Sequence, residues 1–304
     1  MSLTITLQPG QSTTVTVGGQ TVATVTAAPA QPQPQPPGSR ELLYGYFLAD
    51  AAQPAQTADH VNVVHCPSGG DWSSTAGRQA VIDAQITVLR NARAAGIRRG
   101  VLTSDFAGFA DLGGGRRQYL GQVEAQTRLE DFIWQVYKAG LLDMIVGLYT
   151  VDEPGREAQV PSGDLASFCA DLRSVWKNLF PPTPPPMPKL CIVYGDEQDY
   201  RAIGAHDACG IDAYGQGIGV LSGLYQGMQS LMTAAQRTII LPGVASPWRE
   251  NPGAWVDYAL SVAKVWWVCP FDFIGYDGQA NGARDNGMLP VCRTAGMRVK
   301  ALTP

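Results

Sequence analysis

The stretch LLDMIVGLYTVDEP, residues 141–154, climbs through an almost unbroken apolar run and then stops on two carboxylates and a proline. A run of this kind, bounded by polar residues, fits a strand buried on both faces, as strands of parallel sheets are. Its end at Asp152-Glu153-Pro154 sets two acids where such a strand would meet solvent. Seven more strand-like runs lie to either side: LLYGYFLAD (42–50), HVNVVHC (60–66), IRRGVLTSDF (97–106), KLCIVYG (189–195), ACGIDAY (208–214), RTIILPGVA (237–245) and VCPFDFIGYD (268–277).

Helical periodicity separates several of them. Within 164–179, Leu165, Phe168, Cys169, Leu172, Val175, Trp176 and Leu179 recur at helical spacing, with Asp164 placed to cap. Val123, Leu129, Phe132, Ile133, Val136 and Tyr137 do the same within 116–139, where Gly140 is the stop. The segment 253–267 carries Trp255, Tyr258, Val262 and Trp266. Between the fifth and sixth runs, EQDYRAIGAHD has room for only a turn or two. Eight strands alternating with helices predict an α/β protein with a (β/α)8 TIM-type barrel over 41–304, close to the usual size of about 250 residues. A doubly wound open sheet is the alternative, but no Gly-rich nucleotide fingerprint follows the first run. DLGGGRR (111–117) reads as a βα loop before a helix, with phosphate binding as its second reading.

Composition narrows the function. Of 304 residues, 45% are apolar and 16% charged, which suits a globular chain with a substantial core. A net charge of −4 gives no basic field for nucleic acid. No uncharged apolar run approaches the ~18 residues of a membrane span, and MSLTITLQPG lacks the basic start and apolar middle of a secretory signal. The six cysteines (66, 169, 191, 209, 269 and 292) are widely spaced with no C-x-x-C pair, and read as buried thiols. His60, His65 and His206 read as packing or hydrogen-bonding residues. Neither a metal nor a cofactor is implied.

Residues 1–39 are of another texture, with no charged side chain. LTITL (3–7), TTVTV (13–17) and TVATVT (21–26) alternate threonine with aliphatic residues, the period of half-buried strands, and Gly18-Gly19 fits a hairpin turn. The sequence therefore divides into a small β anchor over 1–28, a Pro/Gln-rich linker over 29–40 that favours polyproline II, and the barrel. An anchor this small cannot bury a private core. Pairing with a partner's strands would cover it, in a homo-oligomer or multi-copy assembly. A low-complexity tail is the alternative.

Chemistry in such a barrel belongs at the C-terminal ends of its strands. Asp50, Asp105, Asp152, Glu153, Asp196, Glu197, Asp212, Asp272 and Asp277 collect there, among Tyr46, Trp72, Tyr149, Tyr194, Tyr214, Trp248, Phe271 and Tyr276. Carboxylates among aromatic faces fit sugar chemistry, since glycoside cleavage needs one protonated and one ionised acid. Acids at strand ends also solvate loops and cap helices, the plainer reading for Asp50, Asp105 and Asp196. Core packing is the plainer reading for Trp176, Trp255 and Trp266.

YTVDEP, GIDAYG, LPGVASPW and FDFIGYDG together resemble the glycoside-hydrolase-like (β/α)8 barrels, many of which carry an acid at the end of strand four. The resemblance implies Glu153 as general acid, its backbone held extended by Pro154, with Asp152 pointing the other way as a brace. Asp212 or Asp272 supplies the second carboxylate, and Tyr149, Tyr214, Trp72, Trp248 and Tyr276 join Asp152 in binding substrate. In the largest clan of these enzymes the nucleophile ends strand seven. Here IILPGVASPWRE has no acid at that tip. An uncharged anchor, a stiff tether and a sugar-hydrolase-like barrel together resemble bacteriophage fibre or decoration proteins. That layout implies a virion-surface protein assembled in the host cytoplasm, docked on virion structural proteins through residues 1–39. It would bind bacterial surface polysaccharide and, if an enzyme, cleave it. A non-catalytic adhesive virion protein and a free bacterial glycosidase are the alternatives.

Overall fold

The computed structural model describes residues 12–17, 20–26, 41–180, 185–196, 199–275 and 279–302. The chain divides into two units, Met1–Arg40 and Glu41–Pro304. In the first, β1 (Ser12–Val17) pairs antiparallel with β2 (Gln20–Thr26), in a register that shifts between Val15 and Thr16. The strand expected at 3–7, the Gly18-Gly19 turn and the 29–40 linker lie outside the described residues.

The second unit is the barrel. In chain order it runs β3 (Leu43–Tyr44), α1 (Gln53–Thr57), β4 (Val64–Cys66), α2 (Thr75–Ala94), β5 (Gly100–Thr103), α3 (Asp105–Gly108), β6 (Phe109–Asp111) and β7 (Arg117–Tyr119). There follow α4 (Gln122–Lys138), β8 (Ile145–Asp152), α5 (Ser162–Leu179), β9 (Lys189–Tyr194) and β10 (Ala208–Ile211). The chain continues with α6 (Gly217–Ser230), β11 (Arg237–Ile240), α7 (Pro252–Ser261), β12 (Val265–Val268) and α8 (Leu289–Leu302). Eight strands form one parallel sheet in the order β3-β12-β11-β10-β9-β8-β5-β4, and β6-β7 make a separate hairpin.

The sheet closes between β3 and β4 through a seam rather than a ladder. Tyr44 O accepts from Asn62 N (3.0 Å), and His65 O accepts from Ala49 N (2.7 Å). The Asn62 amide bridges the remaining gap, accepting from Tyr44 N (2.8 Å) and donating to Leu42 O (3.0 Å). Gly45 sits on this seam with no room for a side chain. A Cβ there would come within 2.1 Å of Val63 O.

Two apolar layers follow from the pleat. Leu43, Val63, Val101, Cys191, Ile239 and Trp267 fill the interior, as inward residues of closed small barrels do. Outward residues of the strands pack with the helices, and there the helical periodicity is realised: Leu129, Phe132, Ile133 and Val136 of α4, and Leu165, Phe168, Leu172 and Trp176 of α5, are buried. All six cysteines are buried free thiols. Each histidine is buried and bonded, His60 to Tyr46, His65 to Thr103 and His206 to Thr150. Trp176, Trp255 and Trp266 belong to the core.

Several strands are shorter than their apolar runs, β4, β5 and β10 among them, and three other departures from the sequence expectation are larger. The last strand is VWWV, 265–268, not 268–277, and α7 ends at Ser261, so Trp266 stands on a strand. The tryptophans spaced along 253–267 span the end of a helix and the start of the next strand, which one apolar period cannot separate. DLGGGRR does not lead straight into a helix: Gly113, Gly114 and Gly115, all at positive φ, make the turn of the β6-β7 hairpin, and α4 starts only at Gln122. The first strand is also shorter than 42–50; past Tyr44 the backbone keeps only single bonds to its neighbours, from Gly45 N to Val268 O, Phe47 N to Pro270 O and Ala49 N to His65 O.

Candidate functional site

Asp152 ends β8, Glu153 follows it, Asp212 follows β10, and Asp272 lies four residues past β12. All four therefore stand on the rim at the C-terminal ends of the strands. How they are presented departs from a simple pleat. Tyr149 pairs with Cys191, yet Asp152 pairs with Val193, so three steps of β8 oppose two of β9. This bulge shifts the alternation by one residue. Tyr149 belongs to the barrel interior, and its hydroxyl donates to Asp152 Oδ1 at 2.5 Å. Asp152 thus joins the interior side of the rim, where an unbroken pleat would have turned it away.

Glu153 is also not extended. Its φ is 38°, in the left-handed region that non-glycine residues enter at a cost of roughly 1–3 kcal/mol. Backbone bonds hold it there: Glu153 N donates to Val193 O (3.0 Å), while Glu153 O accepts from Glu157 N (3.0 Å) and Ala158 N (3.1 Å). The tight turn over 153–158 outweighs the preference that Pro154 imposes on its predecessor. The Glu153 side chain is 8% exposed, with Arg156 Nη1 at 3.8 Å; the same guanidinium reaches Asp196 at 3.4 Å.

The carboxyls near Tyr149 are hard to ionise. Burial pushes Asp212 up to about 8, and the Asp152 and Glu153 charges add to the shift against Tyr214 and Arg156. Burial raises Asp152 to about 6, opposed by the Tyr149 hydroxyl. Asp152, Glu153 and Asp212 are therefore one interacting cluster. Asp272 stands apart: burial raises it to about 6, its carboxylate accepts from Gly275 N (2.7 Å), and none of the other three carboxylates contributes. It braces the loop before α8, where its carbonyl accepts from Ala283 N (2.9 Å).

Aromatic rings form a shelf beside the cluster. Tyr214 stacks on Phe271 (centroids 4.9 Å apart, planes at 19°) and meets Trp248 at 4.6 Å. The Tyr214 hydroxyl is buried and within strict hydrogen-bond geometry of no group among the described residues, yet it lies close enough to Asp212 to lower its pKa. Trp72 stands elsewhere on the rim, under the Arg117 guanidinium, 4.3 Å from the ring centroid. Tyr276, Asp277 and Glu197 lie outside the described residues.

Sequence reasoning counted Asp105 among the strand-end acids but gave it the plainer loop or cap reading, and it passed over Arg117. Asp105 is 7% exposed, and burial raises its pKa to about 7 against Ser68 and Arg117, with the Asp152 charge adding to the rise. With Trp72, Tyr149 and Asp152 these two line a cavity of about 250 Å³. The available signal was a lone aspartate after a strand, which usually solvates a loop. Asp50 does serve that way, accepting from Ala52 N and Gln53 N at the start of α1.

The strand-seven tip explains a missing acid. Gly243 N donates to Glu250 Oε2 (2.7 Å), and Glu250 N donates to Gly243 O (2.8 Å), so one carboxylate oxygen braces the loop, while Oε1 is buried without a hydrogen-bond partner among the described residues. A Cβ at 243 would lie 2.9 Å from Tyr214 Cβ and 3.0 Å from its ring. Tyr214 fills the space a carboxylate side chain from this tip would need. Among the described residues, no group of three or more His, Cys, Asp or Glu side chains is placed to hold a metal ion, and no helix is long and apolar enough to cross a membrane.

The raised carboxyls set a pH dependence. Asp212 and Asp105 keep their protons in the native state above pH 6.5, whereas the unfolded chain has released them near 3.8. Stability linked to them is fully present below 3.8 and is lost as pH rises through about 7 and 8. The histidines act oppositely, because burial lowers all three, but only below their ordinary value of 6.5. Thermal melts should therefore show Tm falling between pH 6.5 and 8. A flat or rising Tm over that interval would contradict the assigned shifts.

No protein-family model matches the chain, and no curated protein matches it in sequence. Solved structures do resemble it. ScGas2, in complex with a small compound, superposes with a TM-score of 0.52 at 12% identity over 87% of this chain and 64% of its own. A glycoside hydrolase family 5 protein from Bacteroides vulgatus gives 0.51 at 12% over 86% and 67%. A family 2 β-galacturonidase from Eisenbergiella tayi, bound to galacturonate, gives 0.56 at 10% over 85% and 52%. The chain thus spans between about half and two thirds of the length of these proteins. At such identities the likeness shows the fold alone, and the fold is the (β/α)8 barrel that these glycoside hydrolases share.

Proposed function

We propose that the barrel binds a polysaccharide across its rim and hydrolyses it by direct displacement, with inversion at the anomeric carbon. The observation that carries this reading is the Asp152–Glu153–Asp212 cluster beside the Tyr214–Phe271–Trp248 shelf, with strand seven closed to a nucleophile. Inverting hydrolysis needs a carboxylic acid that holds its proton and a carboxylate that activates water. Asp212, raised to about 8, holds a proton at neutral pH and suits the donor's part; Glu153 suits the base's part, beside the exposed Arg156. The sequence expectation gave the donor's part to Glu153, and the local electrostatics favour exchanging the two.

The test is proton NMR of the first-formed product from a panel of bacterial surface polysaccharides. The expected result is product of inverted anomeric configuration, with Glu153→Gln losing turnover and keeping binding. Retained configuration would overturn the mechanism. Binding without turnover by the unaltered protein would establish the second reading, a non-catalytic adhesive barrel, which the closed strand-seven tip also favours.

The anchor completes the proposal. The charge-free sequence of residues 1–39 and the Pro/Gln tether support display of the barrel on a virion surface, held by strand pairing with virion proteins. Deleting residues 1–39 should leave a soluble, monomeric, folded barrel that no longer enters particles. Normal incorporation of the truncated protein would remove the anchor from the account.

A further inference from the structure

We propose that the cavity lined by Trp72, Asp105, Arg117, Tyr149 and Asp152 is a blind pocket for one uncharged sugar ring at the end of a glycan. The inference rests on the glycan reading above and names the group that the site selects.

Size comes first. At about 250 Å³ the cavity falls just below the range of about 300–1,000 Å³ typical of small-molecule sites, so it suits a single ring rather than a run of chain. Its outer wall is closed by the β6-β7 hairpin. Arg117 N donates to Ala158 O (2.8 Å), Leu120 N donates to Gly108 O (3.0 Å), and Gly115 lies against Glu157, whose Cβ is 3.4 Å from where a Cβ at 115 would sit. The hairpin is thereby tied to the turn that carries Glu153, and a glycan entering from the cluster meets a wall.

The lining is built rather than incidental. Trp72 is 4% exposed and its indole N–H donates to Ser68 O (2.6 Å), which fixes the ring under Arg117. Arg117 Nη1 is in turn held by Asp111 Oδ1 at 2.9 Å. Asp105 is buried on the same cavity.

Charge selects the ligand class. Among the described residues of the lining, the one cation, Arg117, is already paired with Asp111, whereas Asp105, Asp152 and Glu157 are all carboxyl groups. A sugar carboxylate would meet these three acids against a single described guanidinium that Asp111 already pairs. Hydroxyls of an uncharged ring donate to carboxylates and accept from the guanidinium, and its apolar face packs on aromatic surface.

The test is saturation-transfer NMR on the full chain, with methyl glycosides of glucose, galactose, mannose and N-acetylglucosamine as neutral probes and methyl glucuronide as the charged one. Binding of long bacterial polysaccharides is measured in parallel. At least one neutral probe should bind, with methyl glucuronide about tenfold weaker or more. Gly69→Leu and Trp72→Phe should each weaken the neutral probe about fivefold or more. Gly69 lines the cavity, and a Cβ there meets no atom within 4 Å, so Gly69→Leu narrows the pocket without disturbing the core. The pocket is overturned, and the glycan reading kept, if long glycans bind while no neutral probe does. The same holds if methyl glucuronide binds best, or if neutral binding survives both variants. If no glycan of either length binds, both fall.

Discussion

Replacing Asp212 with asparagine is expected to cut glycan hydrolysis by about 10²–10⁴-fold, the usual contribution of a positioned proton donor. The same change should raise Tm at pH 8 and lessen its fall between pH 6.5 and 8. Both effects have one source. Burial above all, with the neighbouring Asp152 and Glu153 charges after it, raises the Asp212 pKa to about 8, so a negative charge there is hard to place. Asparagine keeps the shape, removes the acid, and ends the penalty for ionising it. A group kept only for stability would behave otherwise: its loss would lower Tm and leave the rate near normal. The paired measurement therefore separates a catalytic acid from a structural one, as stability given up for activity at a site predicts. Loss of Tm together with unchanged turnover would remove Asp212 from the mechanism.

Gly45→Ala carries the largest expected cost to the fold, about 3 kcal/mol in denaturant unfolding, at the upper end for overpacking. The added methyl would sit 2.1 Å from Val63 O and 2.8 Å from Val63 Cγ1. A side chain could swing away from such a contact; a carbonyl at the barrel's closing seam cannot do so without opening it. The seam has little in reserve, since β3 is two residues long and its link to the β4 side consists of two backbone bonds and the Asn62 amide. A loss below about 1 kcal/mol would mean that the seam yields easily and that closure is held elsewhere.

The sequence was most legible where burial on both faces left no choice of pattern. The stretches IVGLYTV, KLCIVYG and RTIIL read directly as central strands because parallel strands under helices are apolar throughout, although the preceding LLDM, largely apolar as well, holds a 3-10 turn over Leu142–Met144. α4 and α5 were legible from one buried stripe each. The β12 region was not: VWWVCP continues the tryptophans of α7, so a helix, a turn and a strand share one apolar texture. Within the site, residue types were readable and directions were not. Asp152 and Asp212 stand out as acids ending strands, but only the register shows that Asp152 sides with Tyr149. Asp105 and Arg117 belong to one cavity because the β6-β7 hairpin folds over it, and a glycine-rich turn in sequence does not say what it covers. The closed strand-seven tip was half legible. The absent acid could be read from IILPGVASPW, whereas Tyr214 occupying its space could not.

The bulge in β8 gives that strand two parities. Up to Tyr149 the even-and-odd assignment of side chains answers to the packed interior; from Asp152 onward the opposite assignment holds, because one extra residue has been absorbed between them. Body and tip are in this sense separate phases of one strand, joined at a dislocation. Removing a single residue at that joint would dissolve the bulge, set two steps of β8 against two of β9, and leave Asp152 opposite Val193 on the side of Tyr149; keeping all three residues but straightening the strand would turn Asp152 out of the site. Substitutions within the tip leave the phase untouched. The bulge over 150 to 152 thus governs whether the rim has an acid facing inward, and does so independently of which acid the sequence supplies.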